Sequence, residues 1–309
     1  MQSDIQNRRI RERHDARTGW AFMAPFFIMF LLVFAVPICV AIYQSFFRQV
    51  ASGGGLYGGG ELKNQFVGLE NFTMVITSGQ FWSGMGRVVV YAAFQIPIMI
   101  ISALVLALVL DSFLIRRVGF FRLSYFLPFA IPGIVAAMVW LYIYTPELSP
   151  IVKFFDSLGI HIDFMAAGAP ILASMANMTT WTYTGYNMLI FLAALQAVPH
   201  ELYEAARLDG ASSWQIVRQI KIPMVSGAAL LAVLLSIIGT IQLFNEPAVM
   251  QSANGWMGNA YTPMMMAYNT MFGQISPGGD GPASAISIVM ALVAGGLAVI
   301  YALLQRKTV

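Results

Sequence analysis

Six long apolar runs, separated by polar segments, constrain this 309-residue chain more than any other feature. Each run is long enough to cross a bilayer, which takes about 20 residues of helix. Backbone polar groups find no water inside lipid, so a spanning segment must pair them internally, as a helix does. The predicted spans are residues 20–43, 88–110, 123–144, 171–198, 224–244 and 285–304. The predicted fold class is therefore an all-α integral membrane protein with six transmembrane helices.

The composition agrees with this fold class. Only 10% of the residues are charged and the mean hydropathy is +0.72, whereas soluble domains carry about 25% charged residues. The net charge of +3 is small and gives no indication of a nucleic-acid partner. Cys39 is the single cysteine, which excludes an internal disulfide and a cysteine metal cluster.

The basic residues predict how the chain is oriented in the membrane. Thirteen of the 17 lysines and arginines lie in four segments: five in residues 1–18, three in 111–122, three in 199–223 and two after the last span. The positive-inside rule places such segments in the cytoplasm. We therefore expect residues 1–18 to be a retained cytoplasmic tail, residues 19–309 to form one six-helix domain, and both termini to be cytoplasmic.

The remaining polar segments are expected to be loops that connect the spans. Residues 44–86 contain two glycine triplets, a composition typical of a flexible loop. Residues 145–169 contain prolines and aspartates, and residues 245–283 contain no lysine or arginine. The sequence predicts a loop in each of these three segments.

Residues 199–223, called here the polar loop, lie between the fourth and fifth predicted spans. Residues 201–206 are mostly good helix formers. Gly210 stands where the C terminus of a helix favours a residue with positive φ. Ser212 and Gln215 have the spacing of a capping box, which starts a second helix. The sequence therefore predicts helix, tight turn and helix, outside the bilayer core.

The polar loop also resembles the EAA loop of ABC-importer membrane subunits. The matching positions are Glu204, Ala205, Ala206, Gly210, Ile220 and Pro223. The segment FVGLENF at 66–72 is similar to one that precedes the second helix of sugar permeases. The chain resembles first permease subunits of the carbohydrate-uptake type, such as the maltose, lactose and glycerol-phosphate types. This resemblance implies the transmembrane domain of a type I ABC importer.

The resemblance also implies a mechanism of alternating access. In that family the EAA loop docks on an ATPase, and closure of the ATPases turns the transmembrane cavity from one side of the membrane to the other. The residues that the resemblance assigns to this coupling are Glu204, Ala205, Ala206, Asp209, Gly210 and Pro223. The three small residues among them would provide a close contact face.

The partners implied by the resemblance are a second homologous permease subunit, two ABC ATPase subunits, an extracellular solute-binding protein and a carbohydrate substrate. The chain would lie among lipids in the bacterial cytoplasmic membrane. It would bind no cofactor of its own, and ATP and magnesium would be used by the partner ATPase.

No motif indicates catalysis by this chain. None of its four lysines stands in a G-x-x-x-x-G-K-[ST] sequence, so a phosphate-binding loop is absent. The three histidines are scattered, without a partner at metal-ligand spacing. The ionisable residues Asp111, Arg122 and Glu246 fall at the ends of spans, where their side chains are expected to reach the interface. We therefore expect a permease without enzymatic activity.

Two polar helix faces are candidates for the substrate pathway. They are Thr179, Thr182, Tyr183 and Tyr186 on the fourth span, and Ser236 and Thr240 on the fifth. The spacing places each set on one side of its helix. From the residues alone, such faces are also explained by hydrogen bonds between membrane helices. The resemblance implies that these faces contact the substrate, because sugar permeases take their contacts from the helices on either side of the EAA loop.

The nature of the ligand is left partly open by the sequence. Asn187, Gln242 and Asn245 are expected to point elsewhere and are second choices. Because charge is absent near these faces, a neutral polyhydroxylated ligand is expected. The alternatives are an ABC permease for a polyol, glycerol phosphate or an amino acid, and a secondary transporter, whose usual inverted repeats and midplane charges are not evident.

Overall fold

A computed structural model describes residues 17–52, 61–112 and 115–305. The predicted tail up to residue 16, the glycine triplets within 53–60 and the basic end at 306–307 lie outside the described residues. In chain order the elements are α1 Arg17–Gln44, β1 Phe47–Ser52, β2 Glu61–Phe66, α2 Glu70–Thr77, α3 Gly79–Leu110, α4 Val118–Phe126, α5 Gly133–Tyr144, α6 Pro150–Ser157, α7 Ala169–Gln196, α8 His200–Leu208, α9 Ser213–Ile216, α10 Ile222–Met224, α11 Ser226–Ile241, α12 Asn245–Ala253, α13 Pro263–Met271 and α14 Asp280–Gln305.

Four long stretches of helix are apolar enough to cross a membrane. They are Arg17–Gln44, Gly79–Leu110, Ser226–Ala253 and Asp280–Leu303. These stretches agree with the first, second, fifth and sixth predicted spans, although α3 begins nine residues before the predicted 88–110. The protein is therefore a multi-pass, largely helical membrane protein.

The third predicted span, 123–144, is not one straight helix. Helices α4 and α5 are joined by a 3₁₀ turn, Leu127–Ala130, and they form a pair bent by 95°. Pro128 and Pro132 explain the break, because proline lacks the backbone donor and clashes with the preceding turn. This stretch is either a broken span or a re-entrant segment.

The fourth predicted span, 171–198, corresponds to α7. This helix has 28 residues, enough to cross a bilayer, but it carries many threonine, tyrosine and asparagine side chains. Because of these polar side chains, α7 is not among the described helices that are apolar enough to count as membrane spans. The count of six spans stays a prediction.

The three segments expected to connect the spans as loops also contain short regular elements, which the sequence did not predict. β1 and β2 form an antiparallel hairpin in which Phe47 pairs with Phe66. α2 follows the hairpin, α6 lies within 145–169, and α12 and α13 lie within 245–283. Glycines and prolines in these segments mark the ends of short elements, which composition alone does not separate from irregular loop.

One buried asparagine bonds the hairpin to the neighbouring helices. The Asn71 side chain at the start of α2 donates hydrogen bonds of 2.8 Å to the carbonyl oxygens of Ser45 and Phe47. Its Oδ1 accepts from the Arg48 guanidinium at 2.8 and 3.0 Å. Since Asn71 is fully buried, these bonds satisfy polar groups that would otherwise be destabilising.

Close helix packing forms the interior. α3 runs along α7, and Ala103 and Ala107 of α3 are buried beside Phe191 of α7. Gly185 brings α7 against the end of α4, where a Cβ atom would overlap the Tyr125 carbonyl. Small residues at such contacts let helix backbones approach, which is how helices associate in lipid.

Candidate functional sites

An internal cavity of about 440 Å³ lies where broken helices meet. The break between α11 and α12 contributes Gln242, Leu243 and Phe244, and the turn between α4 and α5 contributes Phe129. The rest of the wall comes from α3, α7, α11 and the start of α12. The lining residues are Tyr91, Gln95, Met99, Phe129, Thr179, Tyr183, Tyr186, Asn187, Ala232, Leu235, Ser236, Gly239, Thr240, Gln242, Leu243, Phe244, Asn245 and Glu246. This volume falls within the roughly 300–1,000 Å³ of small-molecule sites.

A chain of hydrogen bonds crosses three of the helices in the cavity wall. The Tyr91 hydroxyl of α3 donates to Thr179 Oγ1 of α7 at 2.7 Å. The Thr179 hydroxyl in turn donates to Glu246 Oε1 of α12 at 2.8 Å. Thr179 therefore links helices, which is the role that the residues alone suggested, while it also borders the cavity.

Two amides in the wall share one sulfur acceptor. Gln95 Nε2 lies 3.3 Å from Met99 Sδ, and Asn187 Nδ2 lies 3.6 Å from the same atom. Asn187 also donates to the Tyr183 carbonyl at 3.0 Å. Gln95 Oε1 is buried and has no hydrogen-bond partner among the described residues. Gln95 is itself only 1% exposed, so this oxygen is a buried acceptor behind the cavity surface.

Aromatic rings form another part of the wall. Phe129 stacks on Tyr186 with ring centroids 4.7 Å apart and an angle of 19° between the rings. Tyr183 meets the same Phe129 ring edge-on at 5.6 Å. The turn between α4 and α5 thus places an aromatic surface beside the hydroxyl and amide groups.

The structure places five of the six predicted pathway residues in the cavity wall: Thr179, Tyr183, Tyr186, Ser236 and Thr240. Thr182 is not in the wall; it is buried, and its hydroxyl donates to the Met178 carbonyl. The four predicted positions on α7 cover a wide face of the helix. The edge with Thr182 is therefore buried in the protein interior and does not border the cavity.

Three second-choice residues were expected to point away from the substrate pathway. That expectation is wrong, because the cavity wall includes Asn187, Gln242 and Asn245. The absence of nearby charge was also a wrong expectation. Glu246 lies in the wall, in the first turn of α12 and directly after the break that follows α11. The signal for this break is in the sequence: Asn245-Glu246-Pro247 places an acid and a proline in the first turn of a new helix.

The polar loop has the local structure that its sequence predicts. α8 ends at Leu208, Gly210 follows with a φ of +82°, and α9 begins at Ser213. The capping box is complete: Ser212 Oγ accepts from the Gln215 backbone at 3.4 Å, and Gln215 Oε1 accepts from the Ser212 backbone at 2.7 Å. The helix–turn–helix prediction is confirmed.

Most of the predicted coupling residues lie on the surface of the polar loop. Those exposed are Glu204, Ala205, Asp209, Gly210 and Pro223. Ala206 instead packs inward against a small core of Val198, Tyr203 and Ile216. Two large apolar side chains, Leu208 and Trp214, stand out from the same loop and are 89% and 68% exposed. The loop therefore has its own core and an outward face of small, acidic and apolar residues.

The polar loop is fastened to the end of α3. Lys221 forms a half-buried ion pair with Asp111, the residue after α3, and its ammonium lies 5.2 Å from the centre of the Tyr203 ring. Burial, together with the nearby Asp111 charge, raises the pKa of the Tyr203 hydroxyl. A displacement of the loop would thus act on α3, which also lines the cavity.

Long apolar helices around a cavity with hydroxyl, amide and aromatic side chains in its wall, and a helical loop beyond them, define a membrane subunit that carries a solute. The chain belongs to the family described as binding-protein-dependent transport system inner membrane component, which it matches over residues 79–309. It is thus the membrane component of such a system and not its catalytic subunit.

Several relatives cover most of the chain. The lactose transport system permease of Rhizobium radiobacter is 29% identical over 305 residues, 96% of this chain and 97% of that protein. An sn-glycerol-3-phosphate permease of Agrobacterium fabrum is 30% identical over 66% of this chain and 68% of that protein. A solved bacterial ABC transporter, involved in import of the acidic polysaccharide alginate, has a chain with the same fold. Its TM-score is 0.73 at 18% identity, covering 96% of this chain and 99% of that chain.

Proposed function

We propose that this chain is the permease subunit of an ATP-driven importer and carries a sugar or oligosaccharide through the cavity described above. The observation that carries the proposal is the cavity wall, in which the stacked Phe129 and Tyr186 rings lie beside Ser236, Asn187 and Gln242. Rings pack on the C–H faces of a sugar, and hydroxyl and amide groups exchange hydrogen bonds with its hydroxyls. The lactose permease among the relatives supports a carbohydrate.

The proposal includes the partners and the coupling route. The exposed face of the polar loop would dock on one of two ABC ATPases, which use ATP and magnesium, with Glu204, Asp209 and Gly210 at the contact. α1 is apolar along its length and the core of its span is not buried within this chain. A second homologous permease and lipid would cover such surfaces. A solute-binding protein would deliver the sugar from outside, and both termini would be cytoplasmic.

The proposal is tested by changing the cavity wall in the assembled transporter. We expect Tyr186→Ala to lower uptake of the transported sugar in proteoliposomes at least several-fold, because the stacking surface on Phe129 is lost. Ser236→Leu should act similarly by filling the cavity and removing a hydroxyl. The matched control is Tyr142→Ala, since Tyr142 is exposed on α5 and outside the cavity.

Co-purification of the variant with its partner subunits shows whether the complex still assembles. Parental uptake by both cavity variants, in an assembled complex, would mean that these polar faces only hold helices together.

A further inference from the structure

One ion pair lies where the polar loop meets the long helices. Lys221 ends the π-helical turn Val217–Lys221 of the polar loop, and Asp111 directly follows the last residue of α3. The two side chains are bonded to each other and are only 14% and 16% exposed. Exposed ion pairs contribute little to stability, whereas a pair withdrawn from water is costly to break by removing one partner. The pair is therefore a specific link between two elements.

The position of Asp111 is unfavourable for α3 taken alone. The C-terminal end of a helix carries a partial negative charge and disfavours an acidic side chain. Asp111 stands at that end of a 32-residue helix, where its backbone N–H bonds the Ala107 carbonyl. Among the described residues its one ion-pair partner is Lys221. The acid is thus explained by the loop residue that it binds and not by the helix that carries it.

The same lysine also reaches the core of the polar loop. Its ammonium lies 5.2 Å from the centre of the Tyr203 ring of α8, which is within the range of a cation–π contact. Tyr203 belongs to the small core of the loop, together with Val198 and Ile216. Lys221 therefore connects the body of the loop, and not only its last turn, to the end of α3.

The polar loop continues directly into α7 and α11 but not into α3. All three helices line the cavity, and α3 contributes Met99, which lies on the same side of Pro97 as Asp111. About 18 Å of helix separates Met99 from Asp111, at 1.5 Å per residue. The Met99 sulfur lies 3.6 Å from Asn187 Nδ2 of α7. A shift of this end of α3 along α7 would therefore change the cavity wall.

Apolar packing also joins α3 to the chain that leaves the polar loop. Leu110 of α3 and Val225, the residue before α11, are buried in one apolar cluster. These contacts keep the elements together when the ion pair is removed. Hydrophobic contacts are non-directional, whereas an ion pair closed by a hydrogen bond fixes where one element stands along the other.

We propose that the Asp111–Lys221 pair is a strut through which the polar loop moves α3 together with α7 and α11. Both are positioning residues, because neither lies in the cavity wall. The inference rests on the proposed function, since it takes an ATPase to displace the loop. Without the strut, the displacement would act directly only on the two helices that the loop joins.

The test uses the assembled complex in proteoliposomes with its solute-binding protein, supplied with lactose, maltose or trehalose as the probe. Asp111→Asn combined with Lys221→Met removes both charges and leaves neither unpaired. Asp111→Lys combined with Lys221→Asp exchanges the charges and restores a pair. The matched control is Lys153→Met, the same change at an exposed lysine of α6, outside the polar loop.

Three quantities are measured: the Tm, the stimulation of ATPase activity by the sugar-loaded binding protein, and the sugar transported per ATP hydrolysed. We expect the neutral double variant to keep a Tm close to the parental value, because replacing both members of a buried pair is often neutral. Its stimulation and its sugar per ATP should fall at least about fivefold, as for a typical coupling between sites.

The other variants show whether the pair acts through coupling or through stability. The exchanged pair should recover most of the stimulation, and Lys153→Met should match the parental complex in all three quantities. A pair needed only for stability would lower the Tm of the neutral variant and leave its sugar per ATP unchanged.

The outcomes separate the two proposals. If no sugar-loaded binding protein stimulates the parental complex, the proposed function fails and the inference fails with it. If the parental complex is stimulated and the neutral double variant keeps the full sugar per ATP, the proposed function stands and the strut is overturned. An assembled exchanged pair that is as poorly coupled as the neutral variant would overturn it as well. Should the neutral variant fail to assemble, the exchanged pair decides: parental sugar per ATP supports the strut, and a lowered value overturns it.

Discussion

Gly185 is the residue at which α7 and the end of α4 come closest. A Cβ atom there would overlap the Tyr125 carbonyl and lie 2.9 Å from the Phe126 backbone nitrogen, and backbone atoms cannot turn aside as a side chain can. We therefore expect Gly185→Ala to destabilise the protein by about 1–3 kcal/mol, the usual effect of overpacking. A thermal unfolding scan of the detergent-solubilised complex measures this change.

The control for this prediction is Gly227→Ala on α11, where no atom lies within 4 Å of the added Cβ. It should leave the Tm unchanged or raise it slightly, because alanine favours a helix more than glycine does. Equal Tm values for Gly185→Ala and the parental protein would show that α4 moves away from α7 without loss.

Some residues of the cavity wall could be predicted from the sequence and others could not. Thr179 and Tyr186 were identifiable as a polar face because helical spacing is a local property. Glu246 was assigned to a span end, whereas it lies within the stretch Ser226–Ala253, just after a short break in the helix. Gln95 carried no signal at all: one glutamine in an apolar run becomes informative only when the neighbouring helices close around it.

At the scale of elements, the polar loop was predictable and the hairpin was not. The loop is specified by neighbours in sequence, a capping box and a glycine at positive φ. The start of the β1–β2 hairpin is bonded instead by Asn71, which reaches back more than 20 residues to the carbonyls of Ser45 and Phe47. Contacts of that kind are tertiary, so neither composition nor periodicity reveals them.

The glycine turn of the polar loop gives a prediction at this scale. Any residue with a Cβ costs roughly 1–2 kcal/mol in the left-handed region, and Gly210 has a φ of +82°. We expect Gly210→Val to distort the turn between α8 and α9 and to lower solute-stimulated ATPase activity of the assembled complex several-fold. Steric overlap does not cause this distortion, since no atom lies within 4 Å of the added Cβ.

Gly210→Asn is the matched variant, because asparagine tolerates left-handed backbone conformations far better than valine. It should retain most of the stimulated activity. If valine and asparagine behave alike, backbone conformation is not what the coupling requires, and if Gly210→Val transports fully, the loop is only a connector.

For the whole molecule, apolarity located four of the long helices in their order along the chain but not how they pack. Lipid is as apolar as the helix surfaces, so packing is decided by small residues and interhelical hydrogen bonds. Here these include Gly185 at Tyr125 and the chain from Tyr91 through Thr179 to Glu246. The cavity is a consequence of that packing and of two helix breaks, and so could not be located from hydropathy.

The orientation of the whole chain is the last prediction. Thirteen of the 17 basic residues fall in the segments assigned to the cytoplasm. In a Cys39→Ser background, we expect a membrane-impermeant maleimide to label Ser52→Cys and Ser252→Cys in right-side-out vesicles. Ser212→Cys, in the polar loop, should be labelled only after the vesicles are opened.

Exposure within the chain does not decide this result, because Ser212 and Ser252 are both exposed to the surroundings of the protein. A difference in labelling between them therefore reports the side of the membrane on which each lies. Labelling of Ser212→Cys in sealed vesicles, with Ser252→Cys protected, would show that the topology is the reverse of the predicted one. The polar loop would then face away from ATP, and its proposed coupling to an ATPase would have to be abandoned.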